Sequence, residues 1–301
     1  MELLDSLINT AVFLAKTIPI IAFVFYLVSY SINKGIMEKI ALKIEPLLKK
    51  LNLSSITIAS IATCFVSPTA AYSMLSQALK EKEIDEKEVI AASFLNSFPS
   101  IFSHLYTFFI PFVIPILGWA GVIYSLTRFA VAIVKSLIGY VIALKWRGDS
   151  KRDVKVEKKS MDPLKATLDN LKRIVPIMFF TFFIVDLLSK YGVFNELKNI
   201  LSFLSFVDPN IIAIATIEFV NVRTATVFAA GLLETKEISV KWAVVGLLLG
   251  NVISFSTRSV KHSLPMHVSL FGKLGVKIVM LNAIVSFILD VVIILLLIIF
   301  L

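Results

Sequence analysis

Ile214-Ala-Thr-Ile-Glu-Phe-Val-Asn-Val-Arg-Thr-Ala225 decides the fold. It lies in an apolar stretch, Ile212 to Asn251, that reads as membrane-spanning, yet Glu218, Asn221 and Arg223 sit inside it. A charge at the centre of a membrane helix costs on the order of 2.5–3.5 kcal/mol on insertion scales. A chain keeps such residues where they face one another, a polar cavity or a ligand. Val220 to Thr224 also sets β-branched residues beside an asparagine, which weakens regular helix. The pattern predicts a discontinuous helix with its polar residues near the bilayer midplane.

An earlier stretch matches it. Ile61-Ala62-Thr63 answers Ile214-Ala215-Thr216, Ser67-Pro68-Thr69 stands where the polar cluster stands, and Lys82-Glu83-Ile84 answers Lys236-Glu237-Ile238. Pro68 breaks the first copy. Further out, Pro19 and Gly35 recur as Pro176 and Gly192. Asn96, His104, Pro111, Gly118 and Gly121 recur as Asn251, Arg258, Pro265, Gly272 and Gly275. The chain reads as a two-fold repeat.

Composition agrees with a membrane location. The 301 residues are 57% hydrophobic and 17% charged, against about 25% charged in soluble domains. Apolar runs long enough to span a bilayer recur from end to end. The net charge of +9 lies largely in loops beside these runs, where it sets membrane topology and calls for no nucleic acid. The single cysteine, Cys64, excludes an internal disulfide and reads as core packing.

The expected architecture is all-α, with about ten transmembrane or re-entrant helices in two inverted-topology five-helix repeats. Residues 1–145 form the first repeat, 146–173 a basic cytoplasmic linker, and 174–301 the second repeat. In the first half, helices are expected over about 10–31, 55–79, 87–103, 104–117 and 122–144. Two interfacial amphipathic helices are expected, at 36–51 and 193–204, where apolar residues recur at helical spacing. An odd number of spans per half requires opposite insertion of the halves. The segment 34–50 has five lysines against two acids, and 145–173 has ten basic residues against five acidic. Both are expected in the cytoplasm, with 80–88 and both termini outside.

No phosphate-binding glycine loop, zinc helix or nucleophile elbow is present, so an enzyme is not expected. The candidate solute-binding residues are Ser67, Thr69, Asn96, Glu218, Asn221, Arg223, Thr224 and Asn251. Broken helix ends expose unpaired backbone groups that bind polar solutes, and Asn offers both donor and acceptor. Asn96 and Asn251 read equally well as interhelical glue. Arg128 and Lys135 are expected to snorkel to lipid headgroups. Asp186 and Asp290 are expected to pair with basic neighbours.

Asn221-Val222, then Arg223-Thr224, then Leu232-Leu233-Glu234 resemble the Gate-domain, or nucleoside-recognition, membrane proteins. That group includes spore-maturation membrane proteins, the membrane core of ferrous-iron transporters and, remotely, concentrative nucleoside transporters. The resemblance implies permeation of a nucleoside-like solute. The ferrous-iron branch has Pro after Asn-Val, where this chain has Arg223. The function expected is therefore a transporter that takes a small polar solute where the repeats meet. A scaffold docking a partner through the basic linker and a divalent-metal transporter are the alternatives. Partners are the bilayer, the solute and a coupling ion, with homo-oligomerisation open. No cofactor or resident metal is called for.

Overall fold

The computed structural model describes residues 2–35, 39, 43, 53–144, 162–192, 208–258 and 263–300. Among them there is helix and no strand. In chain order the helices are α1 (Glu2–Asn33), α2 (Ser55–Cys64), α3 (Pro68–Lys80), α4 (Glu86–Leu95) and α5 (Ser97–His104). A π-helical stretch, Leu105–Val113, leads to α6 (Ile114–Leu117) and then α7 (Trp119–Leu144). The second half holds α8 (Pro163–Lys190), α9 (Pro209–Val220), α10 (Val222–Glu234), α11 (Val240–Arg258), α12 (Leu264–Phe271) and α13 (Lys273–Phe300). Both expected interfacial helices fall largely or wholly outside the described residues.

The exterior is apolar. Phe23, Leu126, Phe180 and Phe300 are each more than 60% exposed, while Asp186, Glu218 and Asp290 are buried. This inverts the soluble pattern and suits a hydrocarbon surround. Four described helical stretches are long and apolar enough to cross a bilayer: Glu2–Leu27, Glu86–Leu117, Trp119–Leu144 and Lys273–Phe300. The protein is a membrane protein.

Both broken helices fold back on themselves. Thr57 on α2 meets Glu88 on α4, and Cys64 meets Asn96, so α2 and α4 run parallel. The intervening α3 must return the chain, which makes α2–α3 a hairpin. In the second half Ile214 packs on Gly246 and Glu218 on Gly250, so α9 and α11 are parallel and α10 returns. At each tip one residue is extended: Ser67 at φ −150°, ψ 100° and Asn221 at φ −156°, ψ 115°. Each caps the returning helix. Ser67 Oγ accepts from Ala70 N–H, and Asn221 Oδ1 accepts from Arg223 and Thr224 N–H.

The base of the first hairpin is clamped by Glu88. Its Oε1 accepts from Ser54 N–H at 2.8 Å, Ser54 Oγ at 2.6 Å and Thr57 Oγ1 at 2.7 Å. Asp85 caps α4, accepting from Glu88 N–H. At the base of the second hairpin, Asn210 Nδ2 donates to the Glu237 carbonyl.

Residues 86–117 and α7 form a long antiparallel pair. Gly139 meets Leu95, Phe109 meets Tyr124, and Gly121 meets Val113. Pro111 lacks an N–H and clashes with the preceding turn in an α-helix, and the wider π-helix accommodates it. The reversal uses Gly118 at φ +56°, and Gly272 repeats it at φ +58°. A Cβ on Gly121 would sit 2.7 Å from the Val113 carbonyl oxygen, and one on Gly275 would collide with the equivalent His267 carbonyl. Lys82 and Lys236, at φ +59° and +58°, mark equivalent turns after the hairpins.

Several expectations change. The helices expected at 87–103 and 104–117 are one continuous run, because the π-helix accommodates Pro111 and Pro115 falls in the first turn of α6. The helix expected at 55–79 does not span; it is the α2–α3 hairpin. Five spans in the first half become three through-running segments and one hairpin. Residues 163–173, expected as linker, are the first turns of α8, capped by Asp162. Finally, Leu53, Ala91 and Ala143 pack in one cluster. The 81–85 turn and the end of α7 therefore lie at the same end of the bundle, not at opposite ends as expected of 80–88 and the linker.

Helices at equivalent places cross antiparallel. On α1 and α8, Asn9 Nδ2 donates to Asp186 at 3.1 Å and Phe13 stacks on Phe182 at 4.1 Å. On α7 and α13, Arg128 meets Asp290 and Lys135 meets Ser286.

Candidate functional site

A cavity of about 350 Å³ opens where the two halves meet. One wall is α4–α5, which presents Ser93, Asn96, Ser97, Ser100 and His104. Arg128 and Lys135, two turns apart on α7, form the next wall. Asn282, Ser286 and Asp290 descend α13 at one-turn spacing opposite them. Asn251 on α11, Ser263 and His267 near the second reversal, and Pro68 and Tyr72 on α3 complete it.

Asn96 stands at the junction of α4 and α5. It is fully buried, and neither its side-chain nitrogen Nδ2 nor its side-chain oxygen Oδ1 has a hydrogen-bond partner. An unsatisfied buried polar group costs about 1–3 kcal/mol, so such a side chain asks for a partner. Its repeat mate Asn251 is already engaged. Asn251 Nδ2 donates to Tyr124 OH at 2.7 Å and to the Leu247 carbonyl at 3.1 Å. The position equivalent to Tyr124 is Ile278, which offers no hydroxyl. The two corresponding positions therefore differ in chemistry.

The other polar groups are organised around these two. Asn282 Nδ2 donates to Ser93 Oγ at 2.9 Å. Arg128 and Asp290 form an ion pair at 2.5 Å, with side chains 17% and 5% exposed. Lys135 Nζ donates to Ser286 Oγ at 3.1 Å. His267 is held by the Ser263 carbonyl and lies edge-on to Tyr72 at 4.5 Å. Cys64 Sγ approaches the Asn96 carbonyl at 3.6 Å, a packing role. Among the described residues no group of three or more His, Cys, Asp and Glu could hold a metal ion.

Of the eight residues expected at the site, Asn96 and Asn251 line this cavity. Ser67 and Thr69 sit at the first hairpin tip beside it, where Pro68 makes the contact. Glu218 is buried against Gly250, away from the cavity wall. Asn221, Arg223 and Thr224 lie at the second hairpin tip and are likewise not on the wall. Arg128 and Lys135 do not reach for headgroups; they turn inward. Asp290 and Asp186 do pair with basic neighbours, Asp186 with Lys190 at 3.1 Å.

Sequence reading missed Ser93, Asn282 and Ser286. A signal existed. Asn282, Ser286 and Asp290 recur at i, i+4 and i+8 in an otherwise apolar helix, which puts a polar stripe on one face.

A model of the Gate family, described as nucleoside recognition, matches residues 14–120. That span holds α1 from residue 14 onward, the first hairpin and the 86–117 helix. The chain is 42% identical over 302 residues to the uncharacterized protein MJ0871 of Methanocaldococcus jannaschii, covering 97% of this chain and 95% of that one. It is 26% identical to MJ0880 of the same organism, covering 96% of this chain and 98% of the other. No solved structure matches. A family match over the first half and full-length likeness to MJ0871 lead to one conclusion: this chain belongs to the Gate, or nucleoside-recognition, family.

Proposed function

We propose that this protein is a membrane carrier that binds a small polar solute, nucleoside-like in size, in the cavity between its halves and releases it by alternating access. The observation that carries the reading is Asn96: fully buried, on the cavity wall, with both amide atoms unpaired. An amide used only as glue between helices is hydrogen-bonded, as Asn251 is to Tyr124.

The two halves, 1–145 and 174–301, are inverted repeats in this reading. Three through-running segments per half is an odd number, and equivalent helices run antiparallel (α1 with α8, α7 with α13). Inverted repeats give a carrier two states of similar energy, one the mirror of the other across the membrane. In the state described, the first hairpin tip borders the cavity through Pro68. In the opposite state the second tip, with Asn221, Arg223 and Thr224, takes that place and Glu218 moves toward the solute. The basic 145–161 segment faces the cytoplasm, together with the 81–85 turn, and both termini face outside.

The test is a melting screen of purified protein against nucleosides, nucleobases, amino acids and small acids, followed by uptake into proteoliposomes. A ligand at 100 times its Kd stabilises by about 2.7 kcal/mol. Asn96→Ala should abolish both the stabilisation and the uptake while the protein stays folded. Uptake that survives Asn96→Ala unchanged would refute the assignment of the cavity.

A further inference from the structure

We propose that the carried solute bears a negative charge, as a carboxylate or phosphate ester, and that Lys135 receives it while Asn96 binds a polar group on the rest of the molecule. The inference rests on the carrier reading above and names the class of solute.

Among the described residues three side chains on the cavity wall are formally charged: Arg128, Lys135 and Asp290. Arg128 and Asp290 neutralise each other at 2.5 Å. Lys135 is bonded to a hydroxyl alone, Ser286 Oγ at 3.1 Å. A hydroxyl orients an ammonium but does not neutralise it. Among the described residues the wall therefore carries one cation in excess. A charge in such a place is costly unless it is paired, and a residue of this kind marks a solute or ion path.

Lys135 and Asn96 are placed to act on one ligand. Ser136, the next residue on α7, accepts from Phe98 N–H at 2.9 Å and donates to the Leu95 carbonyl at 3.0 Å. Lys135 thus stands level with the α4–α5 junction that holds Asn96. The two free amide N–H groups and the free carbonyl of Asn96 suit a solute that both accepts and donates. A neutral nucleoside would use Asn96 and leave Lys135 unpaired. An anion with a polar body uses both.

The experiment compares ligands matched except in charge: orotate with uracil, uridine monophosphate with uridine, and benzoate with benzamide. Binding is read as a melting shift of the purified full chain, for the wild type, Lys135→Met and Lys135→Arg. The expected result is that the charged member of at least one pair shifts the wild type and its neutral partner does not. Lys135→Met should weaken that binding by about tenfold or more, and Lys135→Arg should retain most of it. The pair that responds tells carboxylate from phosphate. A second readout needs no ligand: Lys135→Met should raise the melting temperature of the empty protein, because it removes an unpaired charge. If neutral members bind as well as charged ones, and Asn96→Ala abolishes both, the proposal fails and the carrier reading stands. Anion binding unchanged in Lys135→Met, or a lowered melting temperature of that empty variant, also overturns the proposal. If no member of any pair binds, both readings fall.

Discussion

The Arg128–Asp290 pair should be needed as a pair. Its atoms approach to 2.5 Å, and its side chains are 17% and 5% exposed. Asp290→Asn leaves the guanidinium beside Lys135, with two cations on one wall and no acid opposite. Breaking a buried pair on one side costs about 3–5 kcal/mol. The exposed edge of Arg128 borders a polar cavity, so water there lowers the loss to about 3 kcal/mol, the bottom of that range. Removing both charges, as in Arg128→Gln/Asp290→Asn, removes the unpaired ion as well. The double variant should then recover most of the loss, giving a coupling of about 2–3 kcal/mol, near the top of the usual range for residues in contact. The assay is a double-mutant cycle by reversible unfolding, or by melting where unfolding is irreversible. Additive losses in the two single variants, or an Asp290→Asn loss below about 0.5 kcal/mol, the size of an ordinary surface change, would refute the reasoning.

Three further outcomes follow from the geometry. In a Cys64→Ala background, cysteines placed at positions 83 and 155 should be modified from the same side of the membrane, since the 81–85 turn and the end of α7 share one end of the bundle; labelling from opposite sides would remove the hairpin. Glu88→Ala leaves Ser54 N–H and the Thr57 hydroxyl without their acceptor, while Ser54 Oγ keeps Thr57 Oγ1, so melting should show a loss of at least about 2 kcal/mol, with each orphaned donor costing about 1–3 kcal/mol. Gly121→Ala drives a Cβ to 2.7 Å from a backbone carbonyl and should cost about 1–3 kcal/mol or more, whereas Ala at exposed Gly118 meets no atom and strains only φ; equal losses at the two would contradict the packing of this turn.

Much of the design is legible in one dimension. The apolar runs specify a membrane protein because hydrocarbon leaves a helix no other partner for its backbone. The repeat is legible because each half needs the same special residues at the same places. Ser67 and Asn221 cap hairpin tips, Gly118 and Gly272 adopt positive φ, and Gly121 and Gly275 let a carbonyl approach. Asn96 and Asn251 stand out as amides in apolar helices. What periodicity does not carry is direction. A break in an apolar helix reads the same whether the chain continues or returns, so the hairpins passed for through-running helices and set the 81–85 turn and the end of α7 at opposite ends of the bundle. The long-range contacts from α2 to α4 and from α9 to α11 decide that matter.

The sequence by itself determined that the protein is helical and membrane-embedded, because these properties rest on composition and on local backbone rules. Only the tertiary structure decided which polar residues share a cavity. Glu218 and Arg223 look central because they are charges in the middle of an apolar stretch, yet they lie off the cavity wall. Arg128, Lys135 and Asp290 look peripheral in their own helices, yet α7 and α13 cross antiparallel and bring them face to face. The physical reason is that a charge inside a membrane is stabilised by whatever lies across from it, and what lies across is set by helix packing between segments more than 150 residues apart in the chain.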